Sequence, residues 1–321
     1  MVHLAAQPPR LSIGLPVYNG ERYLAETINC FLAQTFRDIE IVVCDNASTD
    51  GTADICRSFA ARGAPIRYHR NEKNLGAIPN YNKVFGLCRS PLFKWAAHDD
   101  LYCPRYLAEC IRILDEDPDV ILAHSKTAFI DDRGERLSLD PVTGCYVDPR
   151  TAIGHTPDSC AVGDSTVPLG RFWQVLSGAR WGTHMFGVMR RDLLARTRLI
   201  PTFSGGDRAM LAELALLGRF RCSSDALFSK RFHEDASCHL SEKEILGWLS
   251  TDGRAYSRRV RQLETYFSTP RGKPVPLITK MGCVGLVAVH CMKTAVQAAG
   301  GRDRRRAVQG LAWRTSSSAR A

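Results

Sequence analysis

The chain has 321 residues, of which 45% are hydrophobic and 24% charged, and its formal net charge is +10. This composition excludes disorder over most of the length and is sufficient for one large α/β domain or two smaller ones. No run reaches the roughly eighteen uncharged apolar residues that a membrane-spanning helix needs, which excludes an integral membrane protein.

Two features favour a cytoplasmic protein with reduced thiols. Residues 1–12 lack the apolar core of a signal peptide, so export by that route is not expected. The twelve cysteines are scattered without a C-x-x-C pair, and a chain of this length does not need disulfides to fold.

The positive charge is concentrated at the C-terminus. Residues 270–321 contain ten basic residues and one acid, Asp303, so this segment supplies +9 of the +10 and the rest of the chain is almost neutral. A neutral body argues against a nucleic-acid-binding protein, which requires a basic face on the folded domain. The tail is therefore either solvated and partly disordered, or attracted to an anionic membrane surface as a peripheral attachment.

Strand and helix patterns alternate through the first half. We predict strands at residues 11–17, 39–44, 66–69, 92–97 and from 120, and helices at residues 24–32, 52–59, 78–88 and from Pro104. Strands that alternate with helices predict a Rossmann-like, mostly parallel sheet flanked by helices.

The second half is less regular. Residues 131–168 are rich in Asp, Gly, Pro, Ser and Thr, which predicts a long connection. Further on, we predict regular structure at 181–189, a helix at 207–217, short strands at 220–222 and 227–232, a long helix at 245–267, and a C-terminal helical extension within 274–299.

Polar residues end three of the predicted strands. They are the turn Pro16-Val17-Tyr18-Asn19, then Asp45, then the pair Asp99-Asp100. Ligands of open α/β sheets bind beyond the carboxyl ends of the strands, so we expect these residues to surround one site.

The pair Asp99-Asp100 is the most informative of these ends. Two adjacent carboxylates after an apolar strand repel each other unless a cation or hydrogen-bond donors offset their charge. Mg²⁺ and Mn²⁺ prefer such oxygens and commonly share them with substrate phosphates. The pair therefore predicts a divalent-metal site, with a solvated turn as the alternative.

The motifs in this order resemble those of family-2 glycosyltransferases with the GT-A fold. The resemblance runs over roughly residues 10–240 and is carried by residues 11–19, 21–24, 39–52, Asn74-Leu75-Gly76 and Asp99-Asp100. It implies an inverting, nucleotide-sugar-dependent enzyme of GT-A type.

The resemblance implies roles for the strand-end residues. Pro16, Val17 and Tyr18 would line the nucleotide base, and Asp45 would accept a hydrogen bond from a uracil or thymine imide. Asp99 would lie near the ribose or the metal, and Asp100 would bind the metal, Mn²⁺ or Mg²⁺. The role of His98 stays open. The remaining donor-binding positions implied are Asn19, Asn74, Gly76 and Arg231.

In such folds the second half supplies the acceptor side and the general base. Asp207 opens a predicted helix and is the implied base, although it is also suited to cap that helix; Glu213, further along, is a poorer candidate. Trp181, Gly182 and His184 would lie on the acceptor side, and His233 would complete the metal shell.

The implied reaction moves a sugar from a UDP- or dTDP-sugar to a glycan or lipid-linked acceptor, in polysaccharide, glycolipid or cell-envelope synthesis. A catalytically silent nucleotide-sugar-binding protein is the alternative. We predict a glycosyltransferase domain at 1–269, made of a donor half (10–125), an acceptor half (126–240) and a helix (241–269), followed by the tail at 270–321.

Overall fold

The computed structural model describes residues 8–147, 154–234, 236, 240, 242–251 and 258–293. The expected helical extension within 274–299 lies partly outside these residues. The arginine-rich end of the tail lies wholly outside them.

The first half consists of alternating strands and helices, as the sequence predicts. The strands are β1 (Leu11–Val17), β2 (Ile39–Asp45), β3 (Ile66–Arg70), β4 (Leu92–Trp95), β5 (Leu101–Tyr102) and β6 (Val120–Ile130), and the helices are α1 (Leu24–Leu32), α2 (Thr52–Ala61), α3 (Ala77–Leu87) and α4 (Tyr106–Glu116).

The second half completes the sheet. Its elements are β7 (Leu139–Asp140), β8 (Cys145–Val147), β9 (Gly154–His155), α5 (Pro168–Gly178), a 3₁₀ helix (Thr183–Phe186), β10 (Val188–Arg190), α6 (Arg191–Leu194), α7 (Gly206–Leu217), β11 (Arg219–Arg231), α8 (Glu242–Leu249) and α9 (Arg258–Ser268). Residues 277–293 are also helical and are called α10 here.

Eight strands form one mostly parallel sheet in the order β3-β2-β1-β4-β10-β6-β11-β5. Strands β1, β2, β3 and β4 pair in parallel, β6 pairs in parallel with β11, and only β10 and β5 run antiparallel to their neighbours. Because β10 is antiparallel to both β4 and β6, the carboxyl ends of β1, β2, β4, β6 and β11 meet at one edge of the sheet.

The apolar runs found in the sequence form the core of this sheet. Every residue of β1 and β4 is buried, as expected for strands covered by helices on both faces. Helix α1 turns Leu24, Ile28 and Phe31 inward, four and three residues apart, so that one stripe covers the sheet.

Two predictions for the second half were wrong. Residues 131–168 are not simply irregular, because β7, β8 and β9 form a small antiparallel sheet there. The single helix expected at 245–267 is interrupted, since α8 ends at Leu249 and α9 begins at Arg258. The two short strands expected at 220–222 and 227–232 belong to one longer strand, β11. Its pairing with β6 is irregular between Cys222 and Phe228, which is where the sequence pattern is interrupted.

The cysteines within the described ranges are all free thiols. Within the same ranges, no helix is both long and apolar enough to cross a bilayer.

Candidate functional site

Asp99 lies beyond the carboxyl end of β4 and is hydrogen-bonded to His233, which follows β11. Its Oδ2 is 2.9 Å from Nε2 of His233, and 18% of its side chain is exposed. Burial acts to raise the pKa of Asp99, but the hydrogen bond with His233 and the charges of His98 and Lys230 outweigh it, so the pKa is well below its usual range. Asp99 is therefore a carboxylate at any physiological pH.

Asp100 has a different environment, although it is the adjacent residue. It is fully buried, and its Oδ1 accepts a hydrogen bond of 2.9 Å from the backbone N–H of Arg231. Its Oδ2 is buried without a hydrogen-bond partner, and burial raises the pKa of this carboxyl above its usual value. Of the two carboxylates, Asp99 is the more accessible to a ligand, which differs from the sequence-based emphasis on Asp100.

The donor atoms near Asp99 fit a divalent cation that is shared with a substrate. Among the described residues, no group of three or more His, Cys, Asp or Glu side chains converges as a complete protein cage. Asp99 and His233 would supply two adjacent ligands if a cation replaced the hydrogen bond between them, and Oδ2 of the neighbouring Asp100 is buried without a hydrogen-bond partner. Mg²⁺ typically takes one or two protein carboxylates and completes its shell with water and phosphate oxygens.

The expectation that Arg231 contacts the donor needs correction. Its side chain is 1% exposed, and its guanidinium donates to the carbonyl of Asp99, to the carbonyls of Asp131 and Asp132, and to the carboxylate of Glu26. These bonds engage all three of its nitrogens. Arg231 therefore supports the backbone of the Asp pair and is not placed to bind phosphate.

Two other residues surround the Asp pair. The ring of His98 lies against Gly20, where an added Cβ would come within 2.9 Å of it. His98 therefore packs the loop after β4 onto the loop after β1, which assigns a position to a residue whose role the sequence left open. Lys230, the residue before Arg231, contributes positive charge to both carboxylates.

In the turn after β1, only part of the predicted motif Pro16-Val17-Tyr18-Asn19 is exposed to solvent. Pro16 and Val17 are buried in the strand, whereas 45% of Tyr18 is exposed. Asn19 adopts a positive φ of 49° and its Oδ1 accepts a hydrogen bond of 2.9 Å from the backbone of Thr49. Tyr18 is thus the exposed aromatic side chain of this motif, and Asn19 beside it is also exposed.

Asp45 ends β2 and is buried, with its carboxylate already bonded on both oxygens. Oδ1 accepts from the backbone of Ser48 at 2.8 Å, and Oδ2 accepts from Tyr68 at 2.6 Å and Arg70 at 2.7 Å. Burial acts to raise the pKa of Asp45, but these hydrogen bonds lower it overall. An imide contact through Asp45 therefore requires the half-exposed side chain of Arg70 to move aside.

Asn74 and Gly76 belong to a network of amides at the same edge of the sheet. The side chain of Asn46 donates to Asn74 at 2.8 Å and to the carbonyl of Gly76 at 3.2 Å, and accepts from Asn71 at 2.9 Å. Residue 250, just after α8, packs onto Gly76, where an added Cβ would be 2.5 Å from the Cα of Ser250. This loop is fixed in shape by its own bonds.

Asp207 stands at the start of α7 and is partly exposed. Its carboxylate lies directly on the backbone of Gly182, where an added Cβ would be only 1.9 Å from Oδ2. Burial raises the pKa of Asp207, which increases its strength as a proton acceptor. The predicted base and Gly182 of the predicted acceptor segment are thus in contact.

Tyr81, on α3, has a raised pKa, first because of burial and then because of the negative charges of Asp99, Asp100 and Asp207. The sequence analysis missed Tyr81, because within the helical pattern of residues 78–88 it is indistinguishable from a packing aromatic residue.

Asp158 was also missed, and it positions the segment at 180–184. Its side chain is 2% exposed, and its carboxylate accepts hydrogen bonds from the backbone N–H groups of Arg180, Trp181 and Thr183 at 2.7, 2.9 and 2.9 Å. Asp158 lies in the stretch expected to be irregular, where no periodicity distinguishes it.

The acceptor-side prediction is only partly consistent with the structure. His184 is 1% exposed and its ring faces Asp158 and the carbonyl of Ser159, so its side chain is not placed to touch a ligand. Trp181 is partly exposed and packs beside Phe232, with its indole N–H donating to Thr156. Of these three residues, Trp181 is partly exposed, whereas Gly182 and His184 are buried.

The family comparison matches the first half of the chain. Residues 12–166 match the model described as glycosyl transferase family 2. An uncharacterised glycosyltransferase from Rickettsia felis is 35% identical over 134 residues, which is 40% of this chain and 21% of that protein. The alignments span 15 to 40% of the length of the first five curated relatives.

Solved structures share the fold over most of the chain. S. aureus TarS 1–349 in complex with UDP-GlcNAc aligns with a TM-score of 0.59 and 17% identity, covering 88% of this chain and 72% of that one. The mannosyltransferase PcManGT from Pyrobaculum calidifontis, in complex with GDP-Man and Mn²⁺, aligns with a TM-score of 0.51 and 17% identity, covering 92% and 81%. The fold is therefore of GT-A type, as the resemblance implied.

Proposed function

We propose that this chain, whose residues 12–166 belong to glycosyl transferase family 2, transfers a sugar from a nucleoside-diphosphate sugar to an acceptor hydroxyl with inversion at the anomeric carbon. The observation that carries the proposal is that Tyr18, Asp45 and Asp99 lie at or just beyond the carboxyl ends of three neighbouring parallel strands, β1, β2 and β4. Asp207, which contacts Gly182, supplies the carboxylate that we propose for the acceptor proton.

Asp207 acts as the general base. The acceptor hydroxyl is a poor nucleophile until its proton is removed, and a carboxylate of raised pKa is well matched to accept that proton during attack. Its contact with Gly182 places it beside the segment that carries Trp181, where we propose that the acceptor binds. A single displacement with one base inverts the anomeric centre.

The donor's diphosphate is held at the opposite side of the site. Asp99 and His233 would bind a divalent cation, Mn²⁺ or Mg²⁺, whose charge stabilises the diphosphate as it leaves. Lys230 adds positive charge next to this pair, and Asp100 and Arg231 hold the backbone of Asp99 in position. Charge that is fixed in advance stabilises the developing negative charge without further reorganisation.

A UDP- or dTDP-sugar is the donor that we propose to test first. The structural neighbours were solved with UDP-GlcNAc and with GDP-Man, which supports a nucleoside-diphosphate sugar as the substrate class. Tyr18 is exposed for stacking on the base, and Asp45 and Arg70 lie at the end of the neighbouring strand. The acceptor class that we propose is a glycan or lipid-linked sugar of polysaccharide, glycolipid or cell-envelope synthesis.

The test combines binding with turnover. Calorimetry with UDP, dTDP and GDP, each with and without Mn²⁺, should show metal-dependent binding of at least one nucleotide. The matching sugar nucleotides should then release nucleoside diphosphate, and NMR of the product should show the inverted anomer. Binding without any release of nucleoside diphosphate, including hydrolysis, would indicate a silent binder, and retention of configuration would reject the single-displacement mechanism.

A further inference from the structure

Helix α10 has one face buried against the protein and an opposite face that is apolar and exposed. Cys283 and Val287 are fully buried, and Gly282 lies against Leu169 of α5. Six large apolar side chains point away from the protein with exposures of 37 to 79%: Leu277, Ile278, Met281, Val284, Val289 and Met292.

The arrangement of this face is unusual for a surface in contact with water. Single exposed apolar residues are common, whereas a continuous stripe of them indicates an interaction surface. Here residues 277, 281, 284, 288 and 292 follow the helical repeat, and they extend over most of a helix about 25 Å long.

A groove continues the apolar face toward α9. A cavity of about 190 Å³ is lined by Phe267, Arg271, Lys280, Met281 and Val284, among others. It adjoins a larger one of about 560 Å³, which is also lined by Phe267 and Arg271. An apolar cleft with two cationic side chains at its wall has the chemistry of a site for an acyl chain and its anionic headgroup.

The charges on α10 and in the segment just before it have one sign, although Glu264 of α9 lines the larger cavity. Residues 270–293 contain Arg271, Lys273, Lys280 and Lys293 and no acidic residue. Lys273 is bound to Glu213 and the carbonyl of Arg196, while Arg271 and Lys293 are exposed. The sequence that follows adds six arginines and one aspartate.

We propose that α10 lies in the headgroup region of an anionic lipid bilayer, with its apolar stripe among the acyl chains and Arg271, Lys280 and Lys293 near the phosphates. An exposed apolar stripe flanked by cations matches such a surface in both polarity and charge. A second copy of the chain would bring two basic segments together, and residues 294–321 would add like charge to this face, so neither complements it.

The position of α10 connects this surface to the acceptor half. Helix α10 packs on α5, with Gly282 against Leu169 and Nζ of Lys293 4.9 Å from the ring centre of Trp173, and α5 in turn packs on α7, which carries Asp207. If the proposed function holds, a membrane-borne acceptor would reach the site from this side. The docking itself does not depend on that function.

The full chain tests the proposal by co-sedimentation with vesicles of phosphatidylcholine, with and without phosphatidylglycerol. We expect binding to the anionic vesicles only, weakening as salt is added. The double variant Ile278→Glu/Met281→Glu should lower the partition coefficient at least about tenfold, since charges on the apolar stripe oppose insertion. The matched control Leu139→Glu/Val142→Glu changes two exposed apolar residues on the small sheet and should bind like the wild type.

Three results would overturn the proposal. The first is equal binding of the wild type to neutral and anionic vesicles, and the second is unchanged vesicle binding by the α10 variant. The third is that the wild type forms a dimer, the α10 variant is a monomer, and neither protein binds vesicles. Hydrogen exchange on the wild type gives a second measurement that needs no variant, because residues 277–293 should become protected on anionic vesicles, and absence of protection contradicts docking. Nucleotide release measured without vesicles tests the catalytic proposal separately, and the α10 variant should leave it unchanged.

Discussion

The carboxylate of Asp207 rests on the backbone of Gly182, so closely that a methyl group on this glycine would come within 1.9 Å of Oδ2. The two residues are 25 positions apart in the sequence: Gly182 directly precedes the 3₁₀ helix, and Asp207 lies in the first turn of α7. Their contact joins the predicted base to the predicted acceptor side.

Gly182→Ala should displace the Asp207 carboxylate and lower kcat by at least about tenfold, because small misplacements of a catalytic group are costly. Donor affinity should not change. Gly144→Ala is the matched control, since Gly144 has the same φ of 66° but nothing lies within 4 Å of its added Cβ. Steady-state kinetics and calorimetry would decide, and equal kcat in the two variants would contradict the role of this contact.

Asp207→Asn should lose about 10²–10⁴-fold in kcat and keep donor affinity, because the amide cannot accept the acceptor proton. The wild-type rate should rise with pH as Asp207 ionises, with a midpoint above the usual carboxyl value of about 4 because burial raises its pKa. The residual activity of the variant should lack this fall in rate at low pH, the acid limb of the pH–rate profile. Asp192→Asn, an exposed acid on α6, serves as control; a limb that persists in Asp207→Asn would assign the base elsewhere.

Asp99→Asn and His233→Ala should each weaken Mn²⁺-dependent nucleotide binding by about tenfold or more, since metal sites depend on each ligand. Asp100→Ala should act differently, chiefly lowering the free energy of unfolding, because it leaves the backbone N–H of Arg231 without its buried acceptor. Calorimetry with and without Mn²⁺, next to chemical denaturation, separates the two effects. Full metal-dependent affinity in Asp99→Asn would reject the assignment, and the exposed Asp54→Asn controls for the loss of one charge.

Asp158→Asn should release the segment that carries Trp181 and Gly182. The amide retains one acceptor oxygen in place of two, so part of the bonding to the N–H groups of Arg180, Trp181 and Thr183 is lost, at a cost of about 1–3 kcal/mol in unfolding free energy. We expect a lower kcat at unchanged donor affinity, because the donor half is untouched. If kcat stays unchanged while stability falls, Asp158 has a structural role only.

Lys94→Met should flatten the pH dependence of stability. Lys94 is fully buried among aromatic rings, and its Nζ donates to the carbonyls of Trp95 and Phe186. Burial lowers the pKa of Lys94 to about 7, against about 10.4 when unfolded.

The direction of the effect follows from proton binding. Between these two values the unfolded chain binds more protons than the native one, so wild-type stability should rise with pH across that window and fall as pH drops toward 7. Denaturation at pH 7 and 9.5 would measure the change in slope, and Lys83→Met, on the partly exposed side of α3, is the control. An equal slope in Lys94→Met would show that Lys94 stays charged in the folded protein.

The sequence by itself determined the alternating architecture and the location of the site. Parallel strands buried on both faces require continuous apolar runs, and their ends require turns, so residues 11–17, 39–44 and 92–97 with the polar residues after them were visible locally. The exposed position of Tyr18 and the placement of Asp207 at a helix start are local in the same way.

Only the tertiary structure decided which of these side chains face a ligand. Asp99 and Asp100 are adjacent in sequence, yet one pairs with His233 and the other is buried under Arg231, because the loop between β4 and β5 turns one carboxylate outward and the other inward. Arg231 and Asp158 form hydrogen bonds with backbone groups more than 20 residues away in the sequence, and such contacts leave no periodic pattern in the sequence. The exposure of the apolar stripe on α10 likewise depends on which face packs on α5, since sequence shows that a helix has an apolar face but not what covers it.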